Sequence, residues 1–103
     1  MNQNIYLKKK LTSEWFHQLQ QVICHEFEKI ETNFGKKIRQ RPKYFKRKNW
    51  KKSPNNGGGT YAIIKDGLLF DSVGVNFSEV SGKFHKKFKS QVLGATKNPS
   101  YWA

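Results

Sequence analysis

The chain has a single cysteine, Cys24, so no intramolecular disulfide can form. With no Cys/His cluster at metal-ligand spacing, a structural zinc is equally without support. A lone thiol favours a reducing compartment. Long apolar runs are missing as well. The longest, Tyr61 to Ile64 and Leu68 to Phe70, fall far short of the roughly 20 residues that a membrane helix needs. Lys8, Lys9 and Lys10 lead into Leu11-Thr12-Ser13-Glu14 rather than an apolar stretch, which argues against a secretory signal. Acidic residues are scarce, with 7 against 20 Lys and Arg, giving a net charge of +13 at pH 7. Between Lys36 and Lys52, ten basic residues occur without one Asp or Glu.

What is present bounds the fold. A chain of 103 residues makes one domain at most, and at that size only about 60 to 65% of the unfolded surface is buried, so stability is marginal. Apolar residues at 36% lie toward the disordered side of globular composition, while 15% aromatic residues argue for a packed part. The basic block attracts polyanions with an affinity that falls as salt rises. Its interleaved Tyr44, Phe45 and Trp50 could stack on unpaired bases. A solvated basic loop explains the same residues without a partner, and no recognised nucleic-acid motif accompanies the charge, so that reading is preferred. A small nucleic-acid-binding protein using residues 36–52 is the alternative.

Periodicity divides the chain. Trp15, Leu19, Val22, Ile23, Ile30 and Phe34, flanked by Phe16 and Phe27, recur at three- and four-residue intervals and predict one apolar stripe of a helix over 13–34. Thr12 or Ser13 suits its N-cap and Gly35 its C′ position, with Gln18, Glu28, Lys29 and Glu31 on the outer face. A basic loop over 36–59 follows, ending in Gly57-Gly58-Gly59, which resists regular structure. Strands are expected over 60–65 and 68–80, joined by Asp66-Gly67 as a type I′ turn with positive φ at Gly67. Alternation sends Val73, Val75 and Phe77 to the core under the helix and Asn76 and Ser78 to the opposite face, where a polar ligand could sit. The segment Lys83 to Lys89 reads as either a short helix or an irregular connection.

One succession of residues is more specific than any of these patterns. Trp50-Lys51-Lys52, Gly57-Gly58-Gly59, Asp66-Gly67, the run Phe70-Asp71-Ser72-Val73-Gly74-Val75-Asn76-Phe77-Ser78 and Gly82 stand in one fixed order. They follow a helix carrying Trp15-Phe16 and Ile23-Cys24-His25-Glu26-Phe27-Glu28-Lys29-Ile30. This succession resembles the N-terminal portion of the oxygen-dependent coproporphyrinogen III oxidases of haem biosynthesis. The chain departs from that pattern in three places: Lys52 replaces the family's arginine, Asn55 and Asn56 precede a shorter glycine run, and Asp71-Ser72 stands where the family has an acid-base pair.

The resemblance implies an α+β fold, with the helix packed on the first strands of a large antiparallel sheet, and an incomplete N-terminal part of a single oxidase domain spanning 1–103. It implies removal of carbon dioxide from two propionates of coproporphyrinogen III, leaving vinyl groups, with molecular oxygen as electron acceptor and no flavin, haem or nicotinamide. A soluble cytoplasmic homodimer is implied for the full-length bacterial enzyme. In that family a strand resembling Gly-Ile-Ser leads into His-Pro, followed by the His, Asp and Arg residues associated with substrate and, in bacterial members, with a divalent metal. These do not occur within 1–103, so neither a catalytic residue nor a metal ligand is assigned here.

Candidate site residues are therefore few. Gly58 and Gly59 could offer backbone N–H groups to a propionate, and Asn76 and Ser78 could contact substrate from the face opposite the helix. Close backbone packing explains the glycines equally simply, and local hydrogen bonding explains Asn76. His17 and His25 read as surface residues, eight apart and too distant for i, i+4 chelation. His85 lacks an orienting carboxylate, and Ser72, Ser78 and Ser81 have no His/Asp pattern to activate them. Cys24 reads as core rather than reactive thiol.

Overall fold

The computed structural model describes residues 2–53, 56–84, 91 and 100–103. It is α+β: one N-terminal helix, α1 (Asn2–Ile38), backs four antiparallel strands, β1 (Lys46–Lys51), β2 (Gly57–Lys65), β3 (Ser72–Lys83) and β4 (Ser100–Trp102), in the order β1-β2-β3-β4. The helix begins well before residue 13 because nothing from Asn2 to Leu11 breaks it. Thr12 is consequently an interior residue, and its hydroxyl donates to the Lys8 carbonyl at 2.7 Å instead of capping. The stop also differs from expectation. Gly35 lies inside the helix, and the left-handed C′ residue is Arg39 (φ 57°), with Gln40 N donating to Gly35 O at 3.0 Å to close a Schellman turn. Gly35 is needed for proximity, since a Cβ there would stand 2.7 Å from the Gln40 carbonyl oxygen and 3.2 Å from Leu68 Cδ1.

The face of α1 turned to the sheet is not the predicted stripe. Gln20, Cys24 and Glu31 are buried and Phe27 half-buried, a helical repeat that continues to the buried Gly35. Trp15, Val22 and Ile30 are 63%, 49% and 45% exposed. Periodicity counted only apolar residues, whereas this helix buries two polar ones that have partners. Gln20 Nε2 donates to the carbonyls of Thr60 (2.8 Å) and Val75 (2.9 Å). Glu31, assigned to the outer face by its charge, is fully buried. Glu28, assigned there too, is half-buried and accepts from Phe45 N at 2.9 Å.

Glu31 organises the β2–β3 connection. Its Oε1 accepts from Leu69 N (2.6 Å) and Phe70 N (2.9 Å), and its Oε2 from Leu68 N (3.0 Å) and, at the long end, Lys43 N (3.5 Å). Residues 68–70 thus belong to a loop wrapped on a carboxylate, not to a strand. The two-residue type I′ turn is replaced by a wider loop, in which Asp66 N donates to Asp71 O at 2.8 Å and positive φ falls on Asp66 (54°) rather than Gly67. Gly67 is still constrained: a Cβ there would run into the Phe70 carbonyl oxygen and approach Glu31 Oε1 to 3.0 Å. Gly67→Val is expected to destabilise the chain by more than about 1 kcal/mol in a urea melt, and a neutral result would remove this loop packing from the account.

Residues 36–59 also differ from the expected loop. Lys46–Lys51 pair with β2 from Lys46↔Ile63 to Lys51↔Gly58, and Gly57–Gly59 lie in β2 itself. Neither stretch has an apolar alternation, so the sheet forms there by pairing alone. The core is small: Cys24, Phe45, Ala62 and Ile64, with Phe27, Val73 and Val75 packed against it. Phe27 meets Phe45 and Phe70 edge-on, with centroids 6.4 and 5.1 Å away. As expected, Val73, Val75 and Phe77 face α1 and are half-buried, and Phe77 lies against His17 at 5.2 Å. Of the segment Lys83 to Lys89, residues 85–89 lie outside the described residues, and His85 with them.

Candidate functional site: the open face of the sheet

Strand register sorts the candidate residues onto two faces. Gly59 is paired with Ser78 and with Trp50, and Tyr61 with Asn76 and Lys48. Directly opposed residues share a face, and Val73, Val75 and Phe77 occupy the α1 side, so Gly59, Asn76 and Ser78 come together on the other. Trp50, Tyr61, Lys46 and Lys48 join them there. Gly58, paired with Glu79 and Lys51, falls on the α1 side and is separated from the other three. Both glycines are extended members of a central strand, which directs its backbone groups to β1 and β3. They do not form the anion nest that the sequence suggested.

Side-chain size shapes this face. Gly74, where a Cβ would meet nothing within 4 Å, leaves a gap between larger neighbours, and a groove of about 390 Å³ lies among Trp50, Tyr61, Ile63, Gly74, Asn76 and Ser78. Further along β3, β4 pairs with Ser81 to Lys83. Tyr101 pairs with Gly82, where a Cβ would stand 2.8 Å from the Tyr101 hydroxyl oxygen. Lys52 donates from Nζ to the Tyr101 hydroxyl at 2.7 Å and to Ser81 O at 3.3 Å. Tyr101 was invisible as a site residue because β4 is three residues long and distant in sequence from β3.

Charge is segregated between the faces. Of the seven carboxylates, only Glu79 lies in a strand. Its register turns it toward α1, where it accepts from Ser13 Oγ and Trp102 Nε1, both at 2.9 Å. The strand residues of the open face therefore offer lysines, aromatic rings, an amide and a hydroxyl, with no carboxylate to compete for an anion. That surface suits a ligand that is broad, aromatic and negatively charged.

Among the described strand residues, no His, Cys, Asp or Glu lies on this face. His17 and His25 are exposed on α1, as expected. Cys24 is fully buried, and burial pushes its thiol pKa up against the opposing influence of Arg47, so it is core rather than nucleophile. The described residues contain no group of three His, Cys, Asp or Glu side chains able to hold a metal ion, and they give a divalent metal no seat.

The coproporphyrinogen III oxidase family model matches residues 11–103. The chain belongs to the coproporphyrinogen III oxidase family. Relatives named oxygen-dependent coproporphyrinogen-III oxidase from Rickettsia typhi and Rickettsia prowazekii are each 39% identical over 95 residues, and one from Rickettsia bellii is 38% identical. In each case the match covers 92% of this chain and 33% of the relative. The chain thus spans about a third of the length of the curated relatives it matches. No solved structure matches it. The matched stretch contains the whole open face, and it leaves outside most of the N-terminal three turns of α1. No described helix is long and apolar enough to cross a membrane.

Proposed function

We propose that these residues form one wall of the substrate site of an oxygen-dependent coproporphyrinogen-III oxidase. That enzyme converts two propionates of coproporphyrinogen III to vinyl groups with release of carbon dioxide and gives protoporphyrinogen IX. Molecular oxygen accepts the electrons and no organic cofactor takes part. The four strands are then part of a larger antiparallel sheet, in a cytoplasmic homodimer.

The observation that carries this reading is the composition of the open face. The substrate is a broad tetrapyrrole edged with carboxylates. Lys46 and Lys48 supply cations for propionates and Trp50 and Tyr61 supply apolar surface for the pyrroles. Asn76 offers an amide oxygen to a pyrrole N–H, and Ser78 a hydroxyl to either group. Gly59 lets β2 lie close against β3 beside Ser78, since a Cβ there would run into the Phe77 carbonyl oxygen. Each residue binds or orients; the chemistry of the decarboxylated carbon is left to groups outside this set.

A hybrid of whole family length tests this, with residues 11–103 replacing the matched stretch of the Rickettsia prowazekii relative. Asn76→Ala and Ser78→Ala in that hybrid are expected to lower kcat/KM for coproporphyrinogen III by about tenfold each, the loss of one good hydrogen bond, with melting unchanged because both side chains are exposed. Unaltered kcat/KM in both variants would place the substrate elsewhere. Single-stranded RNA binding with a steep salt slope that is lost in Trp50→Ala would favour a nucleic-acid partner for the same face.

A further inference from the structure

Beyond the groove, the open face carries two polar groups that the substrate wall does not use. β2 ends at Gly57, opposite Val80. Ser81, next along β3, donates its N–H to Asn56 O at 3.2 Å, and its carbonyl turns the same way, past the last strand donor of β2. Lys52 fills that place. Its N–H bonds to Gly57 O at 3.0 Å, and its Nζ reaches Ser81 O at 3.3 Å and the Tyr101 hydroxyl at 2.7 Å. Alternation puts Lys52 on the face of Trp50, and the pairing with Gly82 puts Tyr101 on the face of Asn76 and Ser78. Lys52 thus stands one row beyond Trp50, Gly59 and Ser78. At a rise of roughly 3.3 Å per residue that is about 7 Å past Trp50 and about 13 Å from Lys48.

The phenol of Tyr101 is held in place. Its ring packs on Phe84 with centroids 4.9 Å apart, and Lys52 Nζ stands 5.1 Å from its centroid. A Cβ at Gly82 would meet its Oη, Cζ and Cε1 at 2.8, 3.0 and 3.1 Å, so any larger residue there would push the ring off β3. An ammonium has three N–H donors, and Lys52 uses two of them here; Tyr101 Oη accepts one and keeps its own proton to donate. Among the described residues, no carboxylate bonds to either group. The ammonium on Ser81 O would by itself close the end of the sheet. The hydroxyl adds a second donor 2.7 Å from the first, a pair that matches the two oxygens of a carboxylate. We propose that Lys52 and Tyr101 form a carboxylate seat of their own at the β4 end of the open face. It takes one propionate while Lys46 and Lys48 hold others along β1, and so sets the rotation of the tetrapyrrole on this wall. Two separated anchor points stop a nearly symmetric ring from turning, and the seat then decides which propionate is presented for decarboxylation. The identity of this ligand rests on the substrate reading above; the pairing of the two donors does not.

Coproporphyrin III, the ring-oxidised tetracarboxylate, is the probe for the 103-residue chain, with its fluorescence as the readout. Lys52→Met and Tyr101→Phe are each expected to weaken its binding by about tenfold. The double variant should lose little more than either, because the two groups act on one carboxylate, and Lys52→Arg should keep most of the affinity. The tetramethyl ester of the same porphyrin, in the same non-ionic detergent, should bind all of these proteins alike. An equal loss with the ester would make the pair a brace for β4 and overturn the inference, as would unchanged binding of coproporphyrin III in both single variants. In the whole-length hybrid, Lys52→Met should raise KM and release more of the species that has lost one carboxyl group, with melting unchanged because Lys52 is exposed. A hybrid in which Asn76→Ala and Ser78→Ala lower kcat/KM while Lys52→Met and Tyr101→Phe do not would keep the substrate wall and refute the seat. An inactive hybrid whose 103-residue chain still shows the carboxylate-dependent binding would keep the seat and refute the wall.

Discussion

Replacing Glu31 by glutamine is expected to destabilise the chain by about 3 kcal/mol or more, which for a domain this small leaves much of it unfolded at neutral pH. The carboxylate is fully buried and has no cation beside it in the hydrogen-bond network. Its partners are the backbone N–H groups of Leu68, Leu69, Phe70 and Lys43. An amide in its place turns an NH₂ toward some of these donors and leaves them buried without acceptors. The same contacts set the ionisation. Burial pushes the Glu31 pKa up, but the N–H groups of Phe70, Leu68, Leu69 and Lys43 outweigh it and hold the group below its ordinary value of 4.5. A depressed pKa stabilises the fold fully above 4.5, and that contribution is lost as pH falls through the lower folded value. Urea midpoints measured from pH 7 downward should therefore drop in acid for the native chain. Glu31→Gln should start low and lose this component of the slope. A midpoint equal to the native one at pH 7 would mean the carboxylate does not hold the loop.

Much of this was legible in the sequence and some was physically hidden. The alternation of Val73, Val75 and Phe77 against Asn76 and Ser78 told the faces of β3 correctly, because period two survives any change of register partner that keeps the strand. The helix was legible as a helix and not in its orientation. Its apolar stripe was taken for the buried face, but Trp15, Phe16, Val22 and Ile30 are exposed, while Gln20 and Glu31 are buried. Burying a polar side chain is favourable only when partners are supplied from elsewhere in the chain, and apart from Lys43, 12 residues from Glu31, those partners lie 37 to 55 residues away in sequence. The same blindness covers β1 and Gly57–Gly59, whose strand character comes from cross-strand pairing rather than from local preference. Of the candidate site residues, Gly59, Asn76 and Ser78 share one face and Gly58 does not. That division follows from the β2–β3 register, which the expected turn at Asp66-Gly67 had no means to fix once the loop closed on Glu31.

The second large effect concerns activity. The 103-residue chain by itself, given coproporphyrinogen III and oxygen, is expected to form no protoporphyrinogen IX above the uncatalysed background. Its open face offers groups that bind and orient, and no His, Cys, Asp or Glu among the described strand residues lies on it. His17 and His25 belong to α1, and Cys24 is enclosed in the core. Groups that act as a unit lose nearly all of their effect when most of them are missing, so partial turnover is not the expected outcome. The outer edge of β3 adds a structural reason, because among the described residues Gly74, Asn76 and Ser78 have no strand partner there and Phe16 is half-exposed. Clear turnover by the isolated chain would show that its own residues complete a site.

The most direct measurement of the central claim is the oxygen-dependent formation of protoporphyrinogen IX by the whole-length hybrid that carries residues 11–103 in the Rickettsia prowazekii relative. If this chain supplies the family's substrate wall, the hybrid turns over at a rate comparable with its parent. A hybrid that folds and melts like the parent, yet forms no protoporphyrinogen IX, would contradict the claim.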